Sequence, residues 1–511
     1  MTRSLGVLLG LILLMALGVA PAQAAAPKFE PGARSAGDPI LPQIGNGGYD
    51  ALRYDIALGV TPANRFSGAV TTMSARATQN LSELSMDFQD LAIRSVHVNG
   101  RRAFFSQVDA TPQLSSDPAI TQPKKLVIKP PAGIRRGDRF QVRVDYGGAQ
   151  PQVFTDPDYS SEGWVPACYT PAGGTQVCDS NFVVGEPMGA QAWFPSNNHP
   201  TDKAAFETSI TVPAGQTAFG VGELRRRRPN ANGSVTWIWS EDDPTATYLV
   251  TASNGVFDYT QSTLRSGRRT IPNYNAIDPS ATPAQKTALA TTLGRTQEIM
   301  DFLADRYGPY PFDSNGALVD RAPSVGYALE VQGKSHYSSL NTSQSTVAHE
   351  IAHQWFGNAV TLEHWNDIWF NEGWARLAQW DWNFADGTSP ASAKQQFEAN
   401  YAAATPQDWA LAPAVLDNDP ANLFLTFPTY TRGGMTLEGY RQIVGERRFN
   451  AFARSLQRRY AYGNIGTRRF IAEAVQASGL RGAKAQLLGQ YFEQWLYGTV
   501  KPTLVPASFS G

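Results

Sequence analysis

From Tyr49 onward, apolar and polar side chains alternate along the chain. Residues 54–58, 70–77, 126–128, 140–144 and 234–239 each repeat with a period of two, which puts one strand face on a core and the other in water. Turn signals such as Asn99-Gly100 and Pro131-Ala132-Gly133 separate them. Many short strands with no long helical run predict an all-β domain over about residues 40–255. The pattern then changes. Thr282-Pro283 opens a stretch to Tyr307 in which Leu289, Leu293, Ile299, Phe302 and Leu303 recur near the helical period, and Gly308-Pro309 ends it. A short β-like segment follows at 317–319 and 327–331. Two helices then carry 349–353 and 368–375, an irregular stretch covers 386–428, and further helices lie around 437–444 and 470–478. A chain of 511 residues exceeds one core, and the change of pattern divides it into a leader at 1–24, a β domain at 25–256 and a mainly helical α+β domain at 257–511.

The leader reading rests on Arg3, the apolar run from Leu5 to Ala20 and the small residues Ala22-Gln23-Ala24, the pattern of a cleaved signal peptide. An uncleaved anchor is the alternative; the apolar run is short for a membrane span. The expected location is the periplasm or the medium, with no stable membrane association after cleavage. Two cysteines, Cys168 and Cys178, are expected to form a disulfide closing a short loop in an exported protein. A formal charge of −1 gives no case for nucleic acid or an anionic membrane as partner. The run Arg225–Arg228, before Pro229-Asn230, reads as a solvated hairpin end.

The chemistry concentrates in His349-Glu350-Ile351-Ala352-His353. On a helix, residues i and i+4 stand one above the other, so both imidazoles can aim at one point. Imidazole nitrogen suits Zn²⁺, and a third protein ligand leaves a fourth position for water. Glu372, on a second helix, can supply that ligand, and Glu350 can act as general base on the water. Six histidines in the whole chain make the spacing informative.

With Tyr307-Gly308-Pro309-Tyr310-Pro311-Phe312, Asn371-Glu372-Gly373, Tyr430-Thr431-Arg432-Gly433-Gly434 and Trp193-Phe194-Pro195-Ser196-Asn197-Asn198-His199-Pro200 in that setting, the chain resembles the aminopeptidase N family of gluzincin zinc metallopeptidases. The resemblance implies a β saddle domain followed by a thermolysin-like catalytic domain, in a short two-domain form without the helical C-terminal domain of larger members. It implies one Zn²⁺ per chain, held by His349, His353 and Glu372, and Tyr430 as hydrogen-bond donor to the developing oxyanion. Glu330 matches the glutamate of the family's Gly-x-Met-Glu-Asn motif and Glu186 a second acid; together they would bind the free α-amine of a peptide. Tyr327 and Ala328 would line the pocket for the N-terminal side chain. The chain departs from the pattern at Tyr327 and Val331, at Val184 in place of a glutamine, and at Gln379, where members usually carry an acid that orients a ligand histidine. An amide accepts an imidazole N–H less strongly than a carboxylate, so looser zinc binding is expected. The implied activity is removal of N-terminal residues from peptides by Glu350-assisted attack of zinc-bound water. A zinc endopeptidase or epoxide hydrolase on the same site, and an inactive peptide-binding module, are the alternatives.

Overall fold

The computed structural model describes residues 28–171 and 173–510, so the expected leader lies outside the described residues. An eight-stranded sheet runs, in spatial order, Glu223–Pro229, Val235–Thr245, Ala204–Val212, Tyr49–Val60, Phe66–Ala77, Arg139–Gly147, Ala92–Val98 and Arg101–Arg102. Along Ala204–Val212 every second residue is buried, as alternation demands. A four-stranded sheet and a five-stranded sheet share one apolar core with it, built around Tyr54, Trp164, Trp193, Phe206 and Trp239. Arg225–Arg228 lie on the exposed outer strand itself rather than in the turn, where charge discourages edge-to-edge association. Cys168 and Cys178 face each other across paired strands and are joined by a disulfide.

The helical part starts from a fourth sheet, ordered Asp258–Ser266, Arg269–Ile277, Asn315–Val319, Ser335–Tyr337 and Ala328–Leu329. The helical stretch expected at 282–307 is two helices, α1 (Pro283–Gly294) and α2 (Thr296–Tyr307), because Arg295 leaves helical geometry just after Gly294. Helices α3 (Gln344–His353) and α4 (Ile368–Ala385) follow. The stretch expected to be irregular contains α5 (Ala393–Ala403), which opens with a Ser392/Gln395 capping box but buries only Ala393 and Phe397, too few apolar residues to show a period. Beyond it come α6 (Arg432–Val444), α7 (Glu446–Tyr460), α8 (Thr467–Ala477) and α9 (Ala483–Tyr497). In α7 the buried residues Phe449, Phe452, Ala453 and Leu456 keep the i, i+3, i+4, i+7 spacing.

The two parts meet over an apolar joint that includes Ile40, Leu41, Tyr248, Leu249, Trp365 and Ile368. Asp38 ties it: its carboxylate accepts from the N–H of Trp365 at 2.8 Å and faces His199 Nε2 at 3.2 Å. Arg432 anchors the far side. Fully buried, it donates to the carbonyls of Trp409, Leu411, Gln494, Trp495 and Gly498 and so ties the start of α6 to the end of α9. Replacing Arg432 by Met keeps much of the bulk but leaves buried carbonyls without donors. Arg432→Met is expected to cost about 3 kcal/mol or more, read as a lower melting temperature; a change within about 0.5 kcal/mol would contradict this role.

Candidate active site

Helix α3 is started by Ser343, whose side chain accepts from the N–H of Thr346, and it buries Val347, Ala348, Ile351 and Ala352. That orientation turns His349 and His353 toward α4, with the two imidazole centroids 4.8 Å apart. Glu372 on α4 puts Oε2 at 3.1 Å from His349 Nε2 and 3.5 Å from His353 Nε2. His353 is oriented from behind by its Nδ1, which meets the carbonyl of Phe356 at 3.2 Å. Gly357 makes this possible. Its φ is +137°, and a Cβ there would sit 2.9 Å from the same nitrogen.

Tyr430 comes from a π-helical turn, Thr426–Thr431, leading into α6. Its ring stacks near His349, centroids 6.1 Å apart. It reaches the metal-binding group because α4 and α6 touch backbone to backbone: a Cβ on Gly373 would lie 2.8 Å from the carbonyl carbon of Gly433. The two glycines therefore set the distance between Glu372 and Tyr430.

Glu330 follows the edge strand Ala328–Leu329. Its carbonyl accepts from Asn358 Nδ2 at 2.7 Å and Gln354 Nε2 at 3.1 Å, while Gln354 Oε1 accepts from the N–H of Gly333 at 2.8 Å. Gln354 and Asn358 thus fix the edge strand to the end of α3. They are positioning residues that the motif reading passed over, although they stand only one and five residues after His353. Glu186 enters from the β part, in the loop after the strand Val177–Val184. Glu186 and Glu330 are both buried, and each keeps one carboxylate oxygen buried without a hydrogen-bond partner.

These residues line a cavity of about 350 Å³, together with Tyr327, Ala328, Asp158, Ser160, Thr346, Arg376, Gln379 and Phe424. The structure thus brings His349, Glu350, His353, Glu372, Glu330, Glu186, Tyr430, Tyr327 and Ala328 to one cleft. Gln379 is the exception in role. Its Oε1 accepts from Arg376 Nη1 at 2.8 Å and its Nε2 donates to Ser345 Oγ at 2.9 Å, so it orients no imidazole. The expectation that Gln379 supports a ligand histidine is corrected, because Arg376, three residues before it on the same helix, captures the amide oxygen. Arg376, Asp158 and Thr346 were missed; for Arg376 the signal was its place one turn past Glu372.

The electrostatics favour a cation. Burial pushes Glu350 well above the carboxylate range, with His353 opposing; burial and then Glu330 do the same to Glu186. Burial also raises Glu330 against the pull of His353. Burial would raise Glu372 too, but His353 and His349 bring it down to about 2. Burial pulls His349 down to about 4, whereas for His353 burial is overcome by Glu330 and Glu372, which raise it to about 10. The ligand atoms of His349, His353 and Glu372 lie within 4.8 Å of one another, and two nitrogens with one carboxylate oxygen are the donor set of a three-ligand zinc site. These residues fit the ion.

The family model described as "Peptidase M1 N-terminal domain" matches residues 50–249, and "Peptidase family M1 domain" matches residues 327–495. The chain belongs to peptidase family M1. Among curated relatives, rice aminopeptidase M1-B is 27% identical over 321 residues, which cover 58% of this chain and 35% of the relative. Human endoplasmic reticulum aminopeptidase 1 is 25% identical over 350 residues, covering 64% of this chain and 34% of the relative. The chain thus spans about a third of the length of these relatives. In fold it is similar to the M1 zinc metallopeptidase of Deinococcus radiodurans, with a TM-score of 0.76 at 24% identity, covering 92% of this chain and 99% of that one. A two-domain M1 zinc metallopeptidase bound to L-arginine matches with a TM-score of 0.77 at 23% identity, over 92% of this chain and 99% of that one.

The raised His353 sets the sign of metal loading. Below about pH 10 the ring carries a proton in the metal-free protein and must lose it to become a ligand, so zinc affinity rises with pH across the neutral range. Titrating zinc into metal-stripped protein at pH 7, by calorimetry in buffers of different ionisation enthalpy, is expected to give release of about one proton per ion. No proton release would contradict the assignment of His353.

Proposed function

We propose that this chain is an exported zinc aminopeptidase that removes the N-terminal residue from peptides with a free α-amine. The observation that carries the reading is the pair Glu186 and Glu330, whose unpartnered buried carboxylate oxygens open on the same cavity as His349, His353 and Glu372. An α-ammonium is the substrate group that satisfies two such acceptors, and a cleft that holds it beside the metal-binding group measures one residue from the N-terminus.

His349, His353 and Glu372 would hold the zinc, which supplies Lewis-acid polarisation of the scissile carbonyl and a more acidic water. Glu350 takes a proton from the attacking water; its buried setting raises its affinity for that proton, and it returns the proton to the departing amine. The Tyr430 phenol, kept protonated by burial and then by Glu372, donates to the oxyanion. Glu186 and Glu330 hold the ammonium, and the strand Ala328–Leu329 offers an open edge to the extended peptide. Tyr327, whose hydroxyl is buried without a partner, lines the side-chain pocket. Export is supported by the leader pattern in the first 24 residues and by the Cys168–Cys178 disulfide.

The test is hydrolysis of two peptides that differ only in N-terminal acetylation. The free-amine peptide alone is expected to be cleaved, with activity lost to a chelator and reduced by about 100-fold or more in Glu350→Gln. Equal cleavage of both peptides would overturn the exopeptidase reading in favour of an endopeptidase.

A further inference from the structure

One cation in the cavity has no counterpart in the chemistry above. Arg376 stands on α4 one turn past Glu372 and lines the cleft. Its one hydrogen bond among the described residues runs from Nη1 to Gln379 Oε1 at 2.8 Å, and its Nε is buried without an acceptor. The guanidinium otherwise lies 5.5 Å from the centre of the Tyr430 ring. Comparable guanidinium groups in this fold are satisfied: Arg441 pairs with Asp381 and Glu438, and Arg432 has five carbonyls. A guanidinium partly withdrawn from water with a single neutral acceptor is an unmet demand for an anion.

The neighbours of Arg376 say at which end of the cleft that anion binds. The carbonyl of Glu330 is tied to Gln354 and Asn358, past His353, whereas Arg376 is tied through Gln379 to Ser345, before His349. Glu330 and Arg376 therefore occupy opposite ends of the row His349–His353. At the Arg376 end the first turn of α3 also contributes: Thr346 lines the cavity, and Gln379 bonds Ser345. The start of a helix favours negative charge, so it reinforces the guanidinium. A peptide with its ammonium on Glu186 and Glu330 and its first carbonyl at the metal-binding group must send its second residue toward Arg376.

We propose that Arg376 forms a carboxylate-binding subsite on the leaving-group side, which makes the chain selective for peptides with negative charge on the residue just after the scissile bond. This rests on the aminopeptidase reading. Two sources supply the same chemistry: the free C-terminus of a dipeptide, and an aspartate or glutamate side chain at the second position of a longer peptide. Arg376 is a specificity residue here; its two-pronged donor geometry suits a carboxylate, and Gln379 holds it in place through Nη1.

The test uses the zinc-loaded protein and peptides in matched pairs with a common N-terminal residue: Ala-Ala against Ala-Ala-amide, and Ala-Glu-amide against Ala-Gln-amide. A charged hydrogen bond of this kind is expected to raise kcat/KM for the carboxylate member of at least one pair by about 10- to 100-fold. A preference in the first pair assigns the C-terminus as the source, and one in the second pair assigns the side chain. In Arg376→Gln the ratio within the preferred pair should fall to near one, whereas Arg376→Lys should retain part of it. Ratios near one in both pairs for the unaltered protein would overturn the proposal without reference to any variant. So would a preference that survives in Arg376→Gln. Failure to cleave any of the four peptides would sink the aminopeptidase reading instead. Calorimetric binding of Ala-Ala against Ala-Ala-amide then decides the subsite separately, with equal affinities overturning it.

Discussion

Burying four carboxylates around two imidazoles is the constraint from which the rest of the site follows. Glu186, Glu330, Glu350 and Glu372 are all nearly inaccessible, and so is His353. Such a group cannot stay uncompensated in a low-dielectric interior; it takes up protons or binds cations. His353 and Glu372 settle part of the charge by pairing with each other. What remains suits two positive groups from outside, a metal ion at His349, His353 and Glu372 and an ammonium at Glu186 and Glu330. On the proposed function, specificity for an N-terminus is a consequence of where the acids are buried.

Holding those acids in place takes much of the fold. Glu186 arrives from the β part and Glu330 from the edge of the fourth sheet, so the apolar joint around Tyr248 and Trp365 is what keeps the pair together. Tyr248 takes part directly, its ring 5.3 Å from Trp365 and its hydroxyl 3.3 Å from Asn371 Nδ2, beside Glu372. Gln354 and Asn358 fix the backbone of Glu330 to the end of α3. Gly373 and Gly433 let α4 and α6 close on each other, and Arg432 pins the start of α6. The reacting groups thus sit on rigid elements, each held by residues that touch no substrate.

What the sequence revealed follows the range of the interaction involved. His349, Glu350 and His353 form a site element by helical period alone, and the strands of the β part follow from alternation, because both are local patterns. The partners brought from a distance, Glu186, Glu330 and Tyr430, carry no local signature; only the family resemblance singled them out. Helix α5 escaped notice because it buries so little, and the break at Arg295 because a single residue leaves the helix without disturbing the apolar period. The role expected for Gln379 failed for a different reason. The family pattern singled it out, but which group its amide would meet depended on Arg376, a competitor on the same helix that no motif marks. A charged side chain one turn from a proposed metal ligand is readable in advance, and here it changes the chemistry of the cleft.

The most direct test is a crystal structure of the Glu350→Gln protein loaded with zinc and soaked with a dipeptide. The account predicts one metal ion on His349, His353 and Glu372, with the peptide α-amine within hydrogen-bonding distance of both Glu186 and Glu330. A peptide lying across the cleft with its N-terminus away from those two carboxylates would contradict it.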